Sequence, residues 1–166
     1  GENGQDTILI NVQSATNSNA RKYICEATVT DVDEQTVSNR HSFIALPPFA
    51  LGLKVDRYIT GSSSIKAEIV AVGIFGKLEA GHKVTVQLKK MSWISYLQET
   101  DFSRGKPKYL TQESVGLIAE KTVTTTESPL KVEFTDQEPG VFILEISSRD
   151  KLGRLQLLKA DLFLAG

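Results

Sequence analysis

Cysteine is almost missing from this 166-residue chain: Cys25 stands alone, so no internal disulfide braces the fold. A free thiol is compatible with a cytosolic or a little-oxidised exported setting. Histidine is nearly as scarce. His41 and His82 both sit inside strand-like patterns, far apart, with no carboxylate or thiol at a suggestive spacing. A nucleophile needs a base beside it, so nucleophilic catalysis has nothing to build on. No His-x-His, Cys-x-x-Cys or Gly-rich phosphate loop is present, and no catalytic, cofactor-binding or metal residue is expected. Asp31-Val32-Asp33-Glu34 offers oxygens but lacks the remaining ligands of a calcium loop. A turn whose leading Asp binds backbone amides is sufficient reason for it. Asn17, Asn19 and Asn39 lack the acceptor pattern for N-glycosylation.

Charge of either sign is also lacking in excess. Formal net charge is −1 and no long run of one sign occurs, which excludes the concentrated positive surface that nucleic acid or an anionic membrane requires. No apolar run reaches the 18 residues of a membrane span, and the longest candidate, Ile69 to Phe75, is strand-sized. The chain opens Gly1-Glu2-Asn3-Gly4 with neither initiator Met nor signal peptide, and is expected to be an excised piece.

What is present is alternation. DTILINVQ (residues 6–13) and KYICEATVTD each place apolar residues at every second position, the pattern of a half-buried strand, and TVSNRHSFIA reads as the returning strand. Pro47-Pro48 then ends the pattern, because proline cannot donate to a ladder. Further strands are expected over Ala50–Asp56, Ser64–Gly73, His82–Lys90 continuing toward Tyr96, Val115–Val123, Leu130–Thr135, Val141–Arg149 and Leu155–Leu164. Gly61-Ser62, Gly76-Lys77, Ala80-Gly81, Pro139-Gly140 and Leu152-Gly153 mark turns. No helical stripe appears. Seven short strands over roughly 110 residues predict an all-β, immunoglobulin/fibronectin-III-like β-sandwich. Trp93 has no matching Cys pair, so the core is not of antibody type; Trp93 is expected to pack, with an inter-domain contact as the other reading. Leu97 to Pro107 is polar and longer than a hairpin needs. It reads as an exposed loop, with Arg104, Lys106 and Lys108 available for a contact or for proteolysis.

The chain also repeats itself. Shifted by 119 residues, PGVFILEISSRDKLGRLQLLKADLFLAG overlies the stretch from Ala20 to Leu46: Phe142 falls on Tyr23, Ile143 on Ile24, Glu145 on Glu26, Ser147 on Thr28 and Asp150 on Asp31. A repeat of domain length signals a modular array. Residues 1–46 therefore read as the closing strands of a truncated module, and 47–166 as a complete one. Cys25 alternates with Tyr23, Ala27 and Val29 and falls on Leu144, which predicts a buried core thiol that resists labelling. Three strands in 46 residues are too few to stand alone, and their unpaired edges are expected to offer a dimerisation surface.

EATVTDVDEQTVSNRHSFIA, then LGLKVDRYI, then AEIVAVGIFGKLEAGHKVTVQLKKMSW together resemble the bacterial alpha-2-macroglobulins. In that family a strand ending in a "V-T-D" turn closes one macroglobulin-like module, and a "G-L" strand opens the next. A "D-G-K-x-x-A-G" turn, a "V-x-V-x-L" strand and a Trp follow. Here the turn is Gly76-Lys77-Leu78-Glu79-Ala80-Gly81, with Phe75 where Asp is usual, and the Trp is Trp93. The closing P-G-x-F-x-L-E-x-x-x-R-D-x-x-G-R segment matches the family's module ending. The resemblance spans about residues 22 to 166 and implies macroglobulin-like domains. Its implied function is a non-catalytic scaffold module of a broad-spectrum protease inhibitor that traps proteases after bait cleavage. Implied partners are neighbouring macroglobulin-like domains and, through the whole protein, target proteases. Implied placement is exported, periplasmic or at the cell surface, with a lipid anchor in some members. The family's thioester motif, Cys-x-Glu-Gln, is missing: Cys25-Glu26-Ala27-Thr28 has Thr where Gln is required. The competing reading is a fibronectin-III-like binding module of a surface adhesin or carbohydrate-active protein, which an exposed aromatic cluster would favour.

Overall fold

The computed structural model describes residues 5, 7–9, 17–98 and 108–166. Those residues form ten strands and no helix: β1 (Arg21–Thr30), β2 (Thr36–Ala45), β3 (Phe49–Val55), β4 (Tyr58–Ile59), β5 (Ile65–Gly73), β6 (Lys83–Gln98), β7 (Lys108–Thr124), β8 (Leu130–Phe134), β9 (Gly140–Arg149) and β10 (Leu155–Leu164). β1 and β2 pair only with each other. The rest divide into a five-stranded sheet ordered β4-β10-β9-β6-β7 and a three-stranded sheet ordered β3-β5-β8.

The two larger sheets stack because their strands alternate. β5 buries Ile65, Ala67, Ile69 and Ala71 while exposing Lys66. Opposite them β6 buries Val84, Val86 and Leu88, and β9 buries Phe142, Leu144 and Ile146. Phe49 and Leu51 of β3, Val132 and Phe134 of β8, and Leu162 and Leu164 of β10 complete one continuous core. This inward-facing set from two antiparallel sheets is what a sandwich needs. The sandwich is therefore as expected, preceded by a partial β unit.

Gln156 ties the two sheets together at one side. Its Oε1 accepts from the Leu51 amide at 2.9 Å and its Nε2 donates to the Phe49 carbonyl, so β10 serves β3 as a surrogate ladder partner. The residue is buried with every polar atom satisfied, the condition under which a core amide is tolerated.

Several expectations need correction. β4, a two-residue strand, pairs parallel with β10 through Tyr58↔Phe163 and Ile59↔Leu164. It was not anticipated, because two residues cannot display a period. β6 runs to Gln98 and β7 begins at Lys108, not Val115. β9 accompanies β6 only as far as Met91↔Val141, so beyond that point β6 and β7 continue as a two-stranded ribbon. Their register shifts once, between Leu88 and Lys89. Leu88 faces Ala119 and Lys89 faces Leu117, leaving Ile118 as the extra residue of a bulge. The strand expected over 6–13 is absent at residues 7–9, and its other positions lie outside the described residues. Of the expected loop, Leu97 belongs to β6, while Arg104 and Lys106 lie outside the described residues.

Candidate functional site: the repeated aspartate turn and the hairpin junction

The repeat read from the sequence is a repeat of structure. Adding 119 to the bounds of β1 and β2 gives the bounds of β9 and β10 residue for residue. The register is the same: Tyr23↔Phe43 maps onto Phe142↔Leu162, and Cys25↔His41 onto Leu144↔Ala160. The turns match atom for atom. Asp31 Oδ1 accepts from the amides of Asp33 (2.8 Å) and Gln35 (3.0 Å); Asp150 Oδ1 accepts from those of Leu152 (2.9 Å) and Arg154 (3.0 Å). Glu34 (φ 60°) and Gly153 (φ 77°) occupy the same left-handed position. Glycine holds that conformation without strain; Glu34 does so at some cost.

What differs is the cover. In β9, Phe142, Leu144, Ile146 and Ser148 face the three-stranded sheet and are buried. Their counterparts are Tyr23, Cys25, Ala27 and Val29. Tyr23 is half-buried by stacking on Phe43 (centroids 5.3 Å apart), and the other three are exposed. Cys25 is therefore not a core thiol. Its alternation marks the face that would be buried, but nothing lies across from that face among the described residues. The opposite face is polar, with the Arg40–Glu26 ion pair at 2.7 Å and a Thr28–Ser38 hydrogen bond at 2.8 Å.

The Asp150 turn also carries an additional load of contacts. Asp150 Oδ2 accepts from Arg154 Nε at 2.7 Å and from the Ser18 hydroxyl at 2.9 Å. Ser18 is buried, its amide donates to the Leu155 carbonyl at 2.9 Å, and Asn17 bridges to Leu155. The segment leading into β1 thus docks on the β9–β10 turn of the sandwich. Burial by itself would raise the Asp150 pKa. The Arg154 amide, the Ser18 hydroxyl, the Arg154 guanidinium and the Leu152 amide outweigh it and hold the carboxyl at about 2 against an ordinary 3.8. Because the folded-state value is depressed, ionised Asp150 contributes stability above about pH 4, and that contribution is lost as pH falls through about 2. Asp150→Asn should therefore cost about 2–3 kcal/mol at neutral pH. The deficit relative to wild type should shrink between pH 4 and pH 2, as read from urea melts. A deficit that is constant with pH would refute this account.

The histidines need a correction too. His82 does have a carboxylate: Nε2 lies 3.0 Å from Glu79 Oε2, and its ring packs on Phe49 at 3.9 Å between centroids. The partner sits three residues upstream, brought round by the turn at Gly81 (φ 89°). His41 stands opposite Cys25 across the ladder, with no hydrogen bond between them among the described residues. Neither arrangement gathers a nucleophile, a base and an orienting group. Trp93 is 54% exposed, so it is not a core packing residue. It lies on the outer face of β6 just past the end of β9.

That outer face carries a continuous apolar row. Tyr58, Phe163, Val141, Met91 and Val115 are successive cross-strand neighbours on five strands. Beside it Glu145 is clasped by Lys89 and Lys159, both at 3.0 Å. Burial would raise the Glu145 pKa, but the two lysines reverse the effect and lower it.

No family model matches the chain. Over 145 residues it is 27% identical to an alpha-2-macroglobulin homolog of Nostoc sp. (strain PCC 7120 / SAG 25.82 / UTEX 2576), covering 87% of this chain. The chain resembles the bacterial alpha-2-macroglobulins. Solved structures of such proteins share its fold. Salmonella alpha-2-macroglobulin reacted with methylamine superposes with a TM-score of 0.54 at 15% identity over 87% of the chain. The native conformation of E. coli alpha-2-macroglobulin gives 0.55 at 13% identity over 88%. The chain spans 8% of the Nostoc alpha-2-macroglobulin homolog and 10% of each solved alpha-2-macroglobulin.

Proposed function

We propose that this chain is a non-catalytic scaffold module of an alpha-2-macroglobulin-like protease trap, exported to the periplasm or cell surface. The observation that carries the reading is the kinship along 87% of the chain with a bacterial alpha-2-macroglobulin homolog. On this reading residues 47–166 are one complete macroglobulin-like domain, and residues 1–46 hold the closing hairpin of the domain before it. The repeated turn and register support that division, since one hairpin is covered by its own sandwich and the other is bare among the described residues. The module's work is mechanical. It passes a rearrangement along the array once a bait elsewhere is cut, which suits units whose mutual surfaces are modest and can re-dock. The apolar row on the outer sheet face is the surface offered to a neighbouring domain.

A longer polypeptide carrying this chain should, after incubation with an endoprotease, spare cleavage of a small peptide substrate. Cleavage of a large protein substrate by the same protease should fall several-fold. Deleting 47–166 from it should remove that protection. Equal inhibition of both substrates, or of neither, would count against the trap.

A further inference from the structure

The two equivalent turns provide an internal control for what Asp150 does beyond shaping a turn. Asp31 makes the same turn with Oδ1 alone, and its Oδ2 has no partner among the described residues. Asp150 directs its second oxygen at Ser18, 132 residues away, and the bond is buried. Backbone contacts reinforce it, Ser18 N to Leu155 O and the bridge from Asn17 to Leu155. A turn needs none of these contacts.

The hairpin formed by β1 and β2 is consequently held at its base through both strands, where Arg21 faces Ala45. On one side the chain leaves β2 at Ala45 and enters β3 at Phe49 through Pro47-Pro48, a stiff covalent connector. On the other, Asn17 and Ser18 sit on the β9–β10 turn three residues before β1 begins. Arg21 Nη2 reaches back to Asn17 Oδ1 at 3.0 Å, stiffening the short span between dock and strand. Beyond these tethers, no residue of β1 or β2 is buried. The tethers, not packing, therefore set where it points.

We propose that the β9–β10 turn is a receptor for the serine-bearing segment that leads into the preceding unit, and that the Ser18–Asp150 hydrogen bond is the releasable half of a two-point mount fixing that unit's angle to the sandwich. The inference rests on the two-unit division above. Of the two tethers only this one can open without breaking the chain, so it is where reorientation begins. Arg154, absent from the equivalent turn where Gln35 stands, holds the same Asp150 Oδ2 that receives the Ser18 hydroxyl.

The test is a distance measurement on the full chain. Spin labels on Cys25, the sole and exposed cysteine, and on Thr122→Cys, outward on β7, report the hairpin's position by pulsed electron–electron resonance. Ser18→Ala should broaden the distance distribution at least about twofold and speed exchange of the Ser18-position amide, while the thermal melt of the sandwich stays within a few degrees of wild type. A distribution as narrow as wild type would overturn the proposal. So would a sandwich melt lowered in parallel, since Ser18 would then be part of the core unit. The division into units fails separately, if a chain of residues 47–166 alone shows no cooperative melt.

Discussion

Phe142→Ala should lower the stability of the sandwich by about 3–5 kcal/mol, whereas Tyr23→Ala should cost less than about 1 kcal/mol. The two residues occupy one position of the repeat, with the same strand bounds, register and following turn. Phe142 is 1% exposed and faces a second sheet, so truncation removes transfer energy and leaves a cavity among Leu144, Leu162 and their neighbours. Tyr23 rests on Phe43 with no sheet across from it among the described residues. Its loss opens no cavity, only a cross-strand pair worth a few tenths to about 1 kcal/mol. Chemical denaturation followed by circular dichroism would separate the two variants. Similar costs would mean that the hairpin is packed after all.

Cys25 should react with a thiol reagent in the folded protein at nearly the rate measured in denaturant. The repeat again supplies the contrast. With Cys25 replaced by Ser, a Leu144→Cys variant should react at least about a thousandfold more slowly, because the reagent must wait for an opening that costs most of a typical domain's 5–15 kcal/mol. Leu144 is fully buried in the innermost part of β9, and Cys25 is exposed on a strand with no sheet across from it among the described residues. Kinetics with a small aromatic disulfide would decide. Slow labelling of Cys25 would put a cover on the hairpin face.

The strands were legible because alternation is a local property. In LKVEFT alternation marks Leu130, Val132 and Phe134 as inward; Val132 and Phe134 are 5% and 4% exposed, and Leu130, at the strand's start, is half-buried. The repeat was legible too, down to the Asp that leads each turn. What escaped were features that depend on something other than the local chain. Alternation assigned Cys25 to an apolar face correctly, but it carries no information on whether a partner surface is there. The packing reading of Trp93 fails for the same reason, since the end of β9 decides its exposure, and the inter-domain reading stays open. Gln156 gave no signal beyond being a polar residue at an inward position, which is where a cross-sheet hydrogen bond can be sought. Ser18 sits in a polar stretch with no pattern at all, and its partner is 132 residues away.

The bulge at Ile118 has a consequence for shape. Since Leu88 already faces Ala119 and Lys89 already faces Leu117, deleting Ile118 would leave every other rung of that ladder unchanged. Only the local bend and extra twist would go. One dispensable amino acid thus aims the projecting arm beyond Met91, and evolution can steer the arm without disturbing the interior.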